Sequence, residues 1–235
     1  MTKLTNDQIQ QLNNYSIYLK NPQRPLFSLE ELLHDEKNRD CLLLVQAVSS
    51  SPNLTVAASF FMRRFGMMIA MQLTNLTMYD EIWDGPAERM KFGALEEYGN
   101  RTVSTFIETG DWKSVDEEDR IAVIRGILSM ADSVIRQIRK TAAVSPITLW
   151  ENIFGFLLWQ YHVLLNNPGT SKEAQLDLQI LKDDRTWESI APRSRFATYL
   201  KGKEPSELLN TTVRTTCCLS KDVPGLMQCG FCPLK

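Results

Sequence analysis

LTVAASFFMRRFGMMIAMQL, residues 54–73, is the most apolar stretch of this chain, and the rest of the fold is best understood around it. Its side chains are apolar on nearly every face of a helix, which is typical of a helix surrounded by protein. Arg63 and Arg64 interrupt the stretch, whereas a bilayer span needs about twenty mostly apolar residues without such a pair. We therefore predict a central core helix from Leu54 to about Asn75 and no membrane span.

Helical patterns also dominate on both sides of this segment, and only one region has the alternation of strands. Between about residues 77 and 108 we expect three short strands in an antiparallel meander. The predicted fold class is mainly α: a helical body, residues 1–210, with this small β-meander, and a C-terminal segment, residues 211–235. The other predicted helices cover residues 5–20, 28–35 and 39–50, a helix behind the capping box Ser114–Glu117, a helix starting at Ser145-Pro146, and residues 171–182.

The composition excludes some classes of function. Of the 235 residues, 23% are charged and 43% hydrophobic, and the net charge is −2, which is ordinary for a globular protein. Nucleic acid is not an expected partner because its binding needs a basic face. The polar N-terminus MTKLTNDQIQQLNN has no secretory h-region, so we expect a cytoplasmic protein whose thiols stay reduced.

Four cysteines near the C-terminus carry the strongest chemical signal. Cys217, Cys218, Cys229 and Cys232 have the spacing C-C-x10-C-x2-C. In a reducing compartment such a cluster favours metal ligation over a disulfide framework. Neighbouring side chains on extended backbone point to opposite faces, so the vicinal pair can reach one centre only if the backbone bends there. The fifth cysteine, Cys41, precedes three leucines and is expected to be a small buried hydrophobe.

Several occupants of this cluster remain open on the residues alone. Four buried structural cysteines or two disulfides are the weaker alternatives. A structural zinc ion is the serious one, because all-thiolate zinc sites commonly combine two CxxC-like units. A vicinal cysteine pair matches that pattern poorly, and the rest of the chain is large and apolar enough to fold without zinc. These points favour a [2Fe–2S] cluster, in which four thiolates share two irons.

The same residues carry a family resemblance. Arg214-Thr-Thr-Cys217-Cys218-Leu219, ten residues between Cys218 and Cys229, and Cys229-x-x-Cys232-Pro233 together resemble the C-terminal signature of the FhuF-like siderophore ferric reductases. The segments AASFFMRRFGMMIA and SPITLWENIFGFLL are more loosely similar to helices of that family and of the related C-terminal part of siderophore synthetases. The resemblance implies a [2Fe–2S] cluster on the four cysteines, in an iron–sulfur-binding tail. It also implies one-electron reduction of a ferric siderophore, of the hydroxamate or citrate-hydroxamate type, which releases Fe(II).

The reductase hypothesis makes further demands on the sequence. No Rossmann, P-loop, zincin or hydrolase motif is present, so we expect electrons to come from an external donor such as a ferredoxin, a flavoprotein or a reduced thiol pool. The siderophore's negative charge would be met by arginines, for which Arg214, Arg195 and Arg64 are the candidates. Arg214 could instead donate to the cluster sulfurs or to a backbone carbonyl.

Two other classes of function compete with the reductase. A non-enzymatic iron–sulfur protein, either an electron carrier or a sensor of iron or redox state, would use the same four cysteines. A helical binding protein with structural zinc is the third hypothesis. The helical body of about 200 residues is larger than a simple carrier needs, and no helix-turn-helix with a basic recognition helix is evident.

Overall fold

The computed structural model describes residues 4–97 and 99–234, and the fold is mainly α with a small β element, as predicted. Within these ranges lie nine α-helices and six short strands. The helices are α1 (Asn6–Asn14), α2 (Leu29–Leu33), α3 (Asn38–Ser49), α4 (Leu54–Tyr79), α5 (Arg120–Thr141), α6 (Pro146–Asn166), α7 (Ser171–Lys182), α8 (Arg195–Leu200) and α9 (Pro205–Leu208). The strands are β1 (Ile17–Tyr18), β2 (Pro25–Ser28), β3 (Glu81–Trp83), β4 (Lys91–Glu97), β5 (Asn100–Phe106) and β6 (Trp112–Ser114).

Helix α4 is the predicted central helix. Its N-terminus is capped by Asn53, whose side chain accepts a hydrogen bond from the Val56 amide at 3.0 Å. It ends at Asp80, which has a left-handed conformation with φ 51°. By length and composition α4 could cross a bilayer, but 72% of its most apolar window is buried inside the protein. A core helix of a globular domain has the same properties.

Helix α6 packs against α4 at unusually short range, and Gly66 allows it. A Cβ atom at this position would lie 3.1 Å from the Cα of Ile153 and 3.2 Å from the carbonyl oxygen of Asn152. The close approach lets Asn152 Nδ2 donate across the interface to the Ser59 carbonyl at 3.0 Å. The two helices therefore form one rigid platform, and the C-terminal segment lies on it.

The β element differs from a single three-stranded meander. Strands β4 and β5 form the expected antiparallel hairpin, with Lys91 opposite Phe106 and Glu97 opposite Asn100. The strand predicted before them, β3, pairs instead with β6 in a separate two-stranded sheet. The hairpin is extended by β2, which is antiparallel to β4, and by β1, which is parallel to β5. These partners come from distant parts of the chain, and local alternation cannot reveal them.

Two predicted helices start or end elsewhere. The first was expected to run over residues 5–20, but α1 ends at Asn14 and the chain continues as β1. The Ser16 carbonyl accepts from the Thr105 amide at 2.9 Å, so pairing with β5 overrides the local helical pattern. The capping box predicted at Ser114–Glu117 does not form a helix start either. Ser114 ends β6, and α5 begins at Arg120 after a short 3₁₀ turn.

A buried ion pair joins three helices beneath the platform. The Arg120 guanidinium donates to both carboxylate oxygens of Asp177, at 2.5 and 2.7 Å, and to Asp80 at 2.6 Å. Thr77 donates to the same Asp177 carboxylate at 2.6 Å. Burial alone would lower the pKa of Arg120, but the hydrogen bonds and charges of the two aspartates outweigh it and raise the pKa. The charge pair thus ties α4, α5 and α7 together.

Candidate metal centre

The C-terminal segment is clasped to α6 by one carboxylate. Glu151, 4% exposed, accepts from the amide and the hydroxyl of Thr215 at 2.7 and 2.8 Å, and from the amide of Thr216 at 3.0 Å and its hydroxyl. Arg214, 5% exposed, donates to the carbonyls of Thr216, Glu151 and Thr148 at 3.0, 2.9 and 3.3 Å. We call this set, Glu151 with Arg214, Thr215 and Thr216, the Glu151 clasp. It ends one residue before the vicinal cysteines and therefore sets their position.

Helix α4 holds the other side of the vicinal pair. The Ser59 hydroxyl donates to the Cys218 carbonyl at 2.7 Å, and Asn152 Nδ2 donates to that hydroxyl oxygen at 2.9 Å. One turn further along α4, the Arg63 guanidinium donates to the Ser220 hydroxyl. The chain after the vicinal pair is thus bonded to α4 and the chain before it to α6.

The fold brings the four predicted cysteines together as two interacting pairs. Cys218 and Cys229 shift each other's pKa, and Cys217 acts to lower the pKa of Cys232. Cys218 and Cys232 are buried, whereas the other two are partly exposed. Leu219, with φ 57°, turns the chain directly after the vicinal pair. The vicinal side chains therefore diverge, as adjacent residues do, and each meets a different cysteine of the CxxC unit.

The sulfurs are not arranged around a single point. Across residues 4–97 and 99–234, no group of three or more His, Cys, Asp or Glu side chains is placed so that it could hold one metal ion. Charges nevertheless act across the two pairs, since Cys218 influences the ionisation of both Cys217 and Cys232. The arrangement is two neighbouring dithiol units.

Two of the four sulfurs accept a main-chain N–H from the residue two positions further on: Cys217 from Leu219 and Cys232 from Leu234, each at 3.4 Å. A hydrogen bond from N–H to sulfur favours the thiolate over the thiol and is the usual outer shell of a thiolate-bound metal. The Gln228 side chain adds a donor to Cys232 Sγ at 2.9 Å. At the other two sulfurs, the main-chain N–H groups of Ser220 and Phe231 act to lower the pKa of Cys218 and of Cys229.

The electrostatics of the buried pair follow from these contacts. The hydrogen bond from Cys229 lowers the pKa of Cys218 to about 5 against the effect of burial, and the nearby charges of Arg63 and Arg214 lower it further. The same hydrogen bond, with burial, raises the pKa of Cys229. The pair therefore loses its first proton readily and retains the second. A metal that binds thiolates would displace the second proton.

The three predicted substrate arginines lie in different surroundings. Arg214 belongs to the Glu151 clasp, and its N–H groups donate to backbone carbonyls. Bonding to a backbone carbonyl is one of the two roles expected for Arg214 as alternatives to substrate binding. Arg64 donates to Glu97 at 2.7 Å and to the Val103 carbonyl at 2.8 Å, so it ties α4 to the β4–β5 hairpin. Arg195 lines a cavity beside the cysteine segment.

Sequence reasoning missed the residues that position the cysteines. Glu151 and Asn152 are two adjacent polar residues inside the apolar pattern of α6, and Ser59 and Arg63 are polar residues inside α4. A buried polar residue in an apolar helix needs a hydrogen-bonding partner, which was the available signal. Their partners lie about 60 to 160 residues away in the sequence, so the signal could not have identified them.

Searches against protein-family models, curated proteins and solved structures found no match to this chain.

Proposed function

We propose that Cys217, Cys218, Cys229 and Cys232 bind a [2Fe–2S] cluster, and that the protein is a ferric-siderophore reductase of the cytoplasm. The observation that supports the cluster most directly is that the four cysteines of the motif lie near one another, with main-chain N–H groups donating to the sulfurs of Cys217 and Cys232. Such donors are typical of the outer shell around metal-bound thiolates. The reductase activity is supported by the motif, which resembles that of the FhuF-like reductases.

The pairing of the thiols favours two irons over one zinc. A structural zinc ion needs all four sulfurs around a single point, whereas a [2Fe–2S] cluster bound by four cysteines takes two thiolates on each iron. The interactions of Cys218 with Cys229, and of Cys217 with Cys232, support a division of the ligands into two such units.

The chemistry needs one electron and no acid–base pair. When bound, a [2Fe–2S] cluster supplies a one-electron donor. Siderophore oxygens are hard ligands that hold Fe(III) far more tightly than Fe(II), so one electron added to the metal loosens it and leaves every bond of the organic ligand intact. The electron is replaced by an external donor such as a ferredoxin or a flavoprotein.

The chain's own residues have separate parts in this scheme. The four thiolates hold the cluster, and the backbone N–H donors with the charges of Arg63 and Arg214 stabilise negative charge on the sulfurs. The Glu151 clasp and Ser59 keep the segment against the helical platform and limit the access of water to Cys218, which is 2% exposed.

The test begins with the protein purified without oxygen. Metal analysis should find about two irons per chain, the visible spectrum should show a sulfur-to-iron absorption, and reduction should produce an EPR signal. A colourless protein with one zinc per chain would refute the iron–sulfur assignment. The reduced protein is then mixed with ferric siderophores in the presence of an Fe(II) chelator. Iron in the protein without Fe(II) release would leave an electron carrier or sensor and refute the reductase.

A further inference from the structure

A cavity of about 470 Å³ lies between the first half of α6, helix α8 and the chain at Val213–Thr215. Its volume is in the range of cavities that hold a small organic molecule. Ile147, Phe154 and Pro192 contribute apolar wall. The cavity thus has the size and lining of a binding site for an apolar-bodied ligand.

Three side chains of this wall contain enclosed polar atoms without a hydrogen-bond partner in the described part of the chain. They are Trp150 Nε1, Arg195 Nε and Tyr199 Oη. Trp150 and Tyr199 are 1% and 5% exposed, so water does not satisfy them freely. All three can donate a hydrogen bond, and an unpartnered buried donor is costly. These donors lie inside the wall, and a small shift of their side chains would let an occupant with acceptor oxygens supply the missing partners.

The charges around the cavity point to an anion. Arg193, Arg195 and Lys201 line it, and the single carboxylate in the wall is Glu151. Glu151 is also paired with Arg214, whose Nε lies 3.7 Å from its carboxylate. The positive charge of the wall therefore exceeds its negative charge, and guanidinium groups with a phenol donor suit a carboxylate.

The same cavity borders the cysteine segment. Thr215 lines it and precedes Cys217 by two residues. Burial raises the pKa of Tyr199, and among the groups whose charges also act on its phenol are Arg214, Glu151 and Cys229. An occupant would therefore lie beside Thr215, two residues before the vicinal cysteines.

We propose that this cavity binds a carboxylate-bearing organic anion with an apolar body, its carboxylate facing Arg195 and Tyr199. Resting on the proposed function, this anion is a ferric chelate with free carboxylates, held against the cysteine centre. The cavity then selects anionic chelates over neutral or cationic ones, which the motif alone does not decide.

The test uses gallium(III) chelates, because gallium(III) resembles Fe(III) in its ligands but accepts no electron under these conditions. Binding is measured by titration calorimetry with the anaerobically purified protein. One probe is the gallium complex of a citrate-based dihydroxamate, which is anionic, and the other is that of a linear trihydroxamate with a free amine, which is cationic. We expect saturable binding of the anionic complex and at least about tenfold weaker binding of the cationic one.

Two variants assign the binding to this cavity. Tyr199→Phe removes only a hydroxyl that has no partner, so the thermal midpoint should not fall, while affinity for the anionic complex drops about tenfold. Arg195→Gln should have an effect of at least that size. The matched control is Arg24→Gln, which lines a separate cavity beside β2 and should bind like the wild type. Equal affinity of the wild type, Tyr199→Phe and Arg195→Gln, or a preference for the cationic complex, would overturn the proposal.

The outcomes separate this proposal from the reductase activity. Fe(II) release from ferric chelates with no loss in Tyr199→Phe or Arg195→Gln would overturn the cavity and support the function. Anion binding that depends on both residues, in a protein that releases no Fe(II), would support the cavity as an anion site and overturn the function.

Discussion

Replacing Glu151 with glutamine tests the clasp with almost no change of side-chain volume. Each carboxylate oxygen accepts two hydrogen bonds, one pair from Thr215 and one pair from Thr216. An amide keeps only one of the two oxygens. One main-chain N–H and one threonine hydroxyl then face an NH₂ group. The hydroxyl can turn and accept from it, but the N–H loses its acceptor, and the other two donors bond a neutral oxygen in place of a charged one.

The size of the effect follows from the orphaned N–H and from the lost charge. An unsatisfied buried donor costs about 1–3 kcal/mol, and the weakening of the remaining bonds brings the total to about 3 kcal/mol. This corresponds to about a hundredfold shift in an equilibrium constant. The bonds join a segment without regular helices to the platform, so the shift should fall on local opening of residues 211–220 and much less on global unfolding.

The assay is amide hydrogen exchange followed by mass spectrometry. In Glu151→Gln, peptides covering residues 211–220 should exchange about a hundred times faster than in the wild type, and a peptide from α4 should be little changed. Loss of iron to a chelator should accelerate in parallel. Glu36→Gln makes the same substitution at an exposed site and is the control. Wild-type exchange rates in Glu151→Gln would show that contacts other than the Glu151 clasp hold the segment.

Three further predictions address the thiols, the core and the acid limb of stability. Cys218→Ser should abolish the visible iron–sulfur absorption and Cys41→Ser, at a buried site in α3, should keep it; a normal spectrum after Cys218→Ser would contradict the ligand assignment. Asp177→Asn leaves the buried charge of Arg120 poorly compensated, so the free energy of unfolding measured by urea titration should fall by about 3–5 kcal/mol. A decrease of less than about 1 kcal/mol would contradict the stabilising role of this ion pair. Burial would raise the pKa of Glu97, but hydrogen bonds from serine hydroxyls and the charge of a guanidinium outweigh burial and lower the pKa. The Glu97 carboxylate therefore stabilises the fold at pH values above the ordinary glutamate pKa. This contribution is lost as the pH falls through the lowered pKa. As the pH falls below about 4.3, Glu97→Gln should therefore lose less stability than the wild type, as measured by urea midpoints at a series of acid pH values. An equally steep decline in the variant and the wild type would contradict this role of Glu97.

The helices that form the platform could be predicted because their signals are local. An apolar pattern on all faces predicts α4, and Asn53 supplies its cap. Ser145 and Pro146 start α6 where the sequence predicts it. The strand pairings could not be predicted in the same way. The partners of β3 and β5, namely β6 and β1, are joined to them by tertiary contacts that alternation of apolar residues does not encode.

The same contrast between local patterns and tertiary contacts applies to the candidate site. The cysteine spacing is a local pattern, and it led to the prediction of a thiolate-bound cluster, which the proposed experiments test. Glu151 and Ser59 are single polar residues in long apolar helices, without any motif. Their partners become visible only when the C-terminal segment lies on both helices.

The sequence by itself determined the mainly helical class, the central helix and the choice of four cysteines as the candidate ligands. Those features depend on periodicity and spacing along the chain. Only the tertiary structure decided how Cys217 and Cys218 are used: they diverge because the clasp on α6 holds one side of the pair and Ser59 of α4 holds the other. The physical reason is that buried polar groups must find partners, and those partners are chosen by the packing of whole helices, which no short stretch of sequence contains.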